Sequence, residues 1–141
     1  MTDPQIPERH VLVADDEAHI GRIIKIKLEH GPFRVTLAFD GQEAMDVLDR
    51  EDVIDLVILD LMMPKLSGLD VLDRIRASEK WRNTPCIILT AAGQEQYERD
   101  ARESGATDFL TKPFSPKRLY SRIAQLTGVS SEETGEADAG A

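Results

Sequence analysis

The sequence predicts an α/β fold: a doubly wound, five-stranded parallel sheet with five helices. Three observations carry that expectation. Runs such as Val11-Leu12-Val13-Ala14 and Leu56-Val57-Ile58-Leu59 are short and continuously apolar, as in strands covered on both faces. Between them the apolar spacing changes to steps of three and four, the helical period. The alternation recurs five times, the pattern of βαβ units around a parallel sheet.

Residues 1 to about 8 contain Pro4 and Pro7 and little to bury, so a short mobile lead is expected. The first strand, Val11 to Ala14, ends at Asp15-Asp16-Glu17. Ile20, Ile23, Ile24 and Leu28 then mark a helix from Ala18 to His30, which Gly31-Pro32 stops. Phe33 to Ala38 alternates and reads as a second strand near an edge. After the Asp40-Gly41 turn, Ala44, Val47 and Leu48 mark a second helix to about Arg50. Leu56 to Asp60 is the third strand, and Leu69, Leu72 and Ile75 mark a third helix ending near Ser78. Cys86 to Thr90 is the fourth strand. A polar helix over about 94–104 follows, with Tyr97 and Ala101 expected to point inward and Gly105 as its cap. Asp108 to Lys112 is the fifth strand, closed by Pro113-Phe114. Leu119, Ile123 and Leu126 mark the last helix, which ends at Gly128. Beyond it stand Glu132, Glu133, Glu136 and Asp138 with no basic residue. The expected organisation is a lead over 1–8, one folded domain over 9–127 and a disordered acidic tail over 128–141.

Bulk composition narrows the function. The 141 residues are close to the commonest size of a single domain. The formal net charge of -9 argues against binding a nucleic-acid backbone, where Lys and Arg contacts dominate affinity. The lone cysteine, Cys86, lies inside an apolar run and reads as a buried structural thiol. No apolar run reaches the ~18 residues of a membrane span. The first residues lack the basic and apolar regions of a signal peptide, so the cytoplasm is the expected location. His10, His19 and His30 form no recognisable ligand set and are expected at the surface or an edge.

The chemistry collects at strand ends. In an open parallel α/β sheet, ligands bind beyond the carboxyl ends of the strands. Those ends carry Asp15-Asp16, Asp60, Thr90 and Lys112. Asp15-Asp16 alone would also serve as a helix N-cap pair. Three carboxylates within about 5 Å repel by ~3 kcal/mol per pair at an effective dielectric near 20. One lysine does not offset that, so the cluster implies raised pKa values or a divalent cation. The side-chain donors are all oxygens, which suits Mg²⁺. Phosphoryl chemistry follows: Asp60 as nucleophile, the metal and Lys112 neutralising charge, Thr90 donating to a phosphoryl oxygen. The chain has no Gly-rich phosphate loop ending in Lys-Ser/Thr, so nucleotide hydrolysis has no support.

Taken together, Asp15-Asp16, Leu59-Asp60-Leu61-Met62-Met63-Pro64, Gly68, Thr90 and Lys112-Pro113-Phe114 resemble the receiver domain of two-component response regulators. The resemblance covers residues 9 to about 127 and implies a flavodoxin-like receiver fold. It implies Asp60 as phosphoacceptor from a sensor histidine kinase or histidine phosphotransfer protein. It implies a Mg²⁺ site with Asp16 as direct ligand, Asp15 through water, and Asp60 and the Met62 backbone carbonyl completing the protein set. Lys112 would pair with Asp60 and then with phosphoryl oxygens, and the Lys112-Pro113 bond would be cis. Thr90 and Phe109 would be a switch pair, with Phe109 standing where many receivers have Tyr. The face over about 94–127 would present the result to a downstream effector protein. Met62 and Ala92 stand where the family tunes phosphoryl lifetime. Neither orients water by a strong hydrogen bond, so slow self-dephosphorylation is expected.

Since residues 129–141 offer no core and no basic face, a stand-alone receiver without DNA-binding domain is expected. Its output would be a protein contact, of chemotaxis type, or onward transfer as a phosphorelay intermediate. The competing enzyme class is a haloacid-dehalogenase-type phosphatase. That class needs a second Asp two residues after the nucleophile, and Met62 occupies the position.

Overall fold

The computed structural model describes residues 7–129. Ten elements alternate in strict order: β1 (Arg9–Ala14), α1 (Ala18–Glu29), β2 (Phe33–Ala38), α2 (Gly41–Arg50), β3 (Leu56–Asp60), α3 (Gly68–Ala77), β4 (Cys86–Thr90), α4 (Glu95–Glu103), β5 (Asp108–Thr111) and α5 (Pro116–Thr127). The five strands form one parallel sheet in the order β2-β1-β3-β4-β5. The expected tail from 128 onward lies outside the described residues beyond Val129.

The unbroken apolar runs are explained by two cores, one on each side of the sheet. Leu12 and Ala14, Val57 and Leu59, and Cys86 and Ile88 face α2, α3 and α4, where Ala44, Val47, Leu48, Val71, Leu72, Ile75 and Ala101 are buried with them. Val11 and Val13, Leu56 and Ile58, and Ile87 and Leu89 face α1 and α5, against Ile24, Leu28, Leu119, Ile123 and Ala124. Successive strand side chains point to opposite faces, so a strand with two covered faces is apolar at nearly every position. Cys86 belongs to this pattern: it is fully buried, and burial pushes its thiol up to about 11.

Local chemistry sets the helix limits. Asp40, Ser67 and Ser115 cap α2, α3 and α5 through their side chains, and Ser67 with Asp70 forms a capping box. Pro116 opens α5, and Gly128 closes it in the left-handed region at φ 77°. Beyond that cap, Val129 is buried against the α1 and α5 side.

Three expectations are corrected. Tyr97 is 46% exposed rather than inward, because α4 buries only Ala101, in its C-terminal half. Ile23 on α1 is likewise exposed, while Ile24 and Leu28 carry the packing. His10 is buried rather than at a surface or edge, since β1 is an interior strand. Its ring nitrogens lie 3.0 Å from the Val53 carbonyl oxygen and 2.7 Å from Thr36 Oγ1, so burial leaves neither without a partner. His19 and His30 are exposed, as expected.

Candidate functional site

Strand register assembles the site. Ala14 pairs with Leu59, so the next residues, Asp15 and Asp60, leave β1 and β3 side by side. This is the point where strand order reverses, the usual ligand crevice of a doubly wound sheet. Asp60 pairs with Leu89 and Thr90 with Thr111, which brings Thr90 and Lys112 to the same end. The Lys112 N–H donates to the Thr90 carbonyl at 2.7 Å. The Lys112-Pro113 peptide is cis.

The loop after β3 is drawn in tightly. The Gly68 N–H donates to the Leu61 carbonyl at 2.9 Å, and a Cβ on Gly68 would fall 2.2 Å from the Asp60 carbonyl oxygen. Only glycine lets α3 begin so close to the strand that ends in Asp60. Lys65 in this loop adopts φ 68°, and its ammonium lies 3.4 Å from Asp40. Met62 is exposed beside the site, as is Ala92 beyond Thr90.

Asp15, Asp16 and Asp60 each offer a carboxylate oxygen, all within 4.8 Å of one another. Asp15 and Asp60 are buried and Asp16 is exposed, so the group opens to solvent on one side. Asp15 Oδ1 accepts the Glu17 N–H at 2.9 Å. Burial and then the charge of Asp15 push the Asp60 carboxyl up to about 7, against a smaller opposing pull from Lys112. A group of hard oxygen donors with a carboxyl raised by its neighbours fits a divalent cation such as Mg²⁺.

Lys112 lies 2.9 Å from Asp15 Oδ2, 2.7 Å from Glu17 Oε1 and 3.5 Å from Asp60 Oδ2. Burial alone would lower its pKa. Hydrogen bonds to Glu17 and Asp15 and the Asp60 charge overcome that and hold it above the ordinary range. Two of these partners thus stand nearer to Lys112 than Asp60 does. Glu17 was not anticipated as a site residue. The available signal was a Glu at the N-cap of α1, a poor capping residue, directly after Asp15-Asp16.

Thr90 is buried, with Oγ1 3.4 Å from Thr111 Oγ1. Phe109 on β5 is part-buried against the α2–α4 core, and the Arg102 guanidinium lies 4.6 Å from its ring centre.

Comparison with known proteins agrees with this geometry. The response regulator receiver domain family matches residues 11–124. The transcriptional regulatory protein CpxR of Escherichia coli K12 is 41% identical over 116 residues, 82% of this chain and 48% of CpxR. SrrA of Staphylococcus aureus NCTC 8325, another transcriptional regulatory protein, is 39% identical over 82% of this chain and 46% of its own. The chain spans about half the length of these curated relatives. Among solved structures, the receiver domain of Francisella response regulator 1452 is 38% identical with TM-score 0.78, covering 86% of this chain and 98% of that one. A sensor histidine kinase receiver domain from Pseudomonas aeruginosa PAO1 has magnesium coordinated in its active site cleft. It is 29% identical with TM-score 0.78, over 86% of this chain and 98% of that one. Matched along nearly the whole described region in sequence and in fold, the chain belongs to the response regulator receiver domain family.

Proposed function

We propose that this domain is a phosphorylation switch in which Asp60 is the phosphoacceptor. The observation that carries the reading is the meeting of Asp60 with two further carboxylates and Lys112 at the β1–β3 end of the sheet. An Asp60 oxygen attacks phosphorus, and the bond from phosphorus to the donor's imidazole nitrogen breaks, leaving an acyl phosphate. The donor is a phosphohistidine on a sensor kinase or a histidine phosphotransfer protein.

Asp15, Asp16, Asp60 and the Met62 carbonyl would hold Mg²⁺, which when bound screens the carboxylates from the phosphoryl oxygens. Lys112 supplies a second positive charge to those oxygens, and the Thr90 hydroxyl donates to one of them. For the donation Thr90 gives up its long contact with Thr111. Phe109 follows, exchanging its stack with Arg102 for the space that Thr90 leaves. The face over about 94–127 changes shape and a partner protein reads it.

Hydrolysis is slow in this reading. Met62 stands half-exposed where a phosphatase of the haloacid-dehalogenase type carries its proton donor, and a thioether has no proton to give. Treatment with acetyl phosphate and Mg²⁺ is expected to phosphorylate the wild type and to leave Asp60→Asn unmodified by intact mass. Equal labelling of the two proteins would move the acceptor elsewhere and end the proposal.

A further inference from the structure

The Lys112 ammonium has three N–H donors and three carboxylates around it: Glu17 at 2.7 Å, Asp15 at 2.9 Å and Asp60 at 3.5 Å. The nearest is the one that phosphoryl transfer does not call for. The Glu17 side chain is 50% exposed, and it stands outside the group of three carboxylates that fits a cation. Glu17 occupies the N-cap position of α1 but makes no capping bond there. Its own N–H is tied to Asp15 Oδ1, which fixes the backbone from which its carboxylate reaches Lys112, 95 residues along the chain. The carboxylate serves the site rather than its helix.

We infer that Glu17 is a holding group for Lys112, which keeps the ammonium at the rim of the site and yields it when phosphoryl oxygens arrive on Asp60. The inference rests on the phosphoacceptor reading above. A phosphoryl group adds oxygens and further negative charge. Among the described residues, the one side-chain hydrogen bond of well-aligned geometry that the Lys112 ammonium makes goes to Glu17, and a phosphoryl oxygen has to compete with it. The Asp15 side chain is 0% exposed, and taking the ammonium from it leaves a buried charge without its counter-ion. Asp60 gives up its carboxylate charge when it becomes an acyl phosphate, and its Oδ2 is already the farthest of the three from the ammonium, at 3.5 Å. Glu17 alone returns to water when released. Of the two partners that stay charged, Glu17 is therefore the one Lys112 can leave, and Glu17 competes with the phosphoryl group for Lys112. In this role it is a positioning residue, since it acts on the phosphoryl group only through Lys112.

Beryllofluoride, a phosphoryl mimic that binds an aspartate carboxylate, tests this. It is titrated at saturating Mg²⁺ into the wild type, Glu17→Gln and Glu17→Asp, with Asp60→Asn as control. Binding by the wild type and none by the control is expected. A wild type that does not bind ends the phosphoacceptor reading, and this inference with it. Once wild-type binding is established, both Glu17 variants are expected to bind about two- to fivefold more tightly, the scale of losing one exposed charge-assisted contact. Glu17→Asp keeps the charge but is one methylene shorter, so it separates contact from charge. Unchanged or weaker binding by Glu17→Asp overturns the inference, whatever Glu17→Gln does.

A second readout is by NMR. The Glu17 side-chain carboxyl carbon is expected to shift in the NMR spectrum when beryllofluoride binds the wild type. A resonance that stays in place sinks the exchange. In the metal-free protein the Lys112 ammonium signal, slowed in exchange by its carboxylates, is expected to broaden in Glu17→Asp. An unaltered signal would show that Glu17 does not hold Lys112.

Discussion

At Asp60 the folded chain holds a proton that the unfolded chain has already lost. Its carboxyl is raised to about 7 by burial and by Asp15, against about 3.9 in an unfolded chain. A raised carboxyl stabilises the native state fully below pH 4, and that contribution disappears as pH climbs through 7. Asp60→Asn stays neutral at every pH. Without divalent cations, chemical denaturation is expected to give the two proteins similar stability near pH 4. Above pH 7 the variant should be ahead by on the order of 2–4 kcal/mol. A constant difference from pH 4 to 8 would show that Asp60 does not carry the strain. Asp15, Asp60, Thr90 and Lys112 were legible in the sequence because each ends an apolar run, and strand ends share one edge of a parallel sheet. Glu17 was not, because its partner stands on a distant segment and a Glu in a polar loop reads as solvated. His10 was misread for a related reason: its burial is made tolerable by Thr36 and Val53, which no local pattern connects to it.

Among the helices, α4 is the least anchored. It buries only Ala101, and its N-cap, Gln94, makes no side-chain capping bond. The turn that follows it is tied to α3: the Arg76 guanidinium donates to the Gly105 carbonyl at 3.0 Å, and to the carbonyls of Thr84 at 2.7 Å and Arg82 at 3.1 Å in the segment between α3 and β4. Gly105 takes φ 99° at the end of α4, and a Cβ there would meet Arg76 Nε at 3.0 Å, so the turn and the arginine fit each other. On the proposed switch, an element that shifts while its base stays registered suits this construction. Arg76→Met keeps the apolar stem and strands three carbonyls. It is expected to cost about 1–3 kcal/mol and to speed amide exchange over 104–107 while β1 and β3 stay protected. Uniform acceleration across the sheet would instead make Arg76 a general stability residue. The strands were legible from period and length. α4 was legible as a helix but not in its facing, since Tyr97 and Ala101 share a face by spacing and only the second has a sheet beneath it.

For the molecule as a whole, the number of strands was legible and their order was not. Adjacency depends on which connections cross the sheet, and no local pattern records that. The order β2-β1-β3-β4-β5 turns a row of polar strand ends into a single crevice, because it sets Asp15 beside Asp60 at the reversal. In a chain of net charge -9 this crevice gathers negative charge that folding alone does not relieve. A cation that binds only the folded state should therefore stabilise the fold by mass action, about 2.7 kcal/mol at a hundred times its dissociation constant. On the proposed ligand set the gain depends on pH, since Asp60 would bind the metal as a carboxylate and protons compete for it below about 7. Two pH units under that value weaken the apparent affinity by about a hundredfold. Thermal denaturation is expected to show Mg²⁺ raising Tm by several degrees at pH 8 and little at pH 5. In Asp60→Asn the pH 8 gain should shrink as well. A gain equal at both pH values would remove Asp60 from the ligand set and leave the cation to Asp15 and Asp16 alone.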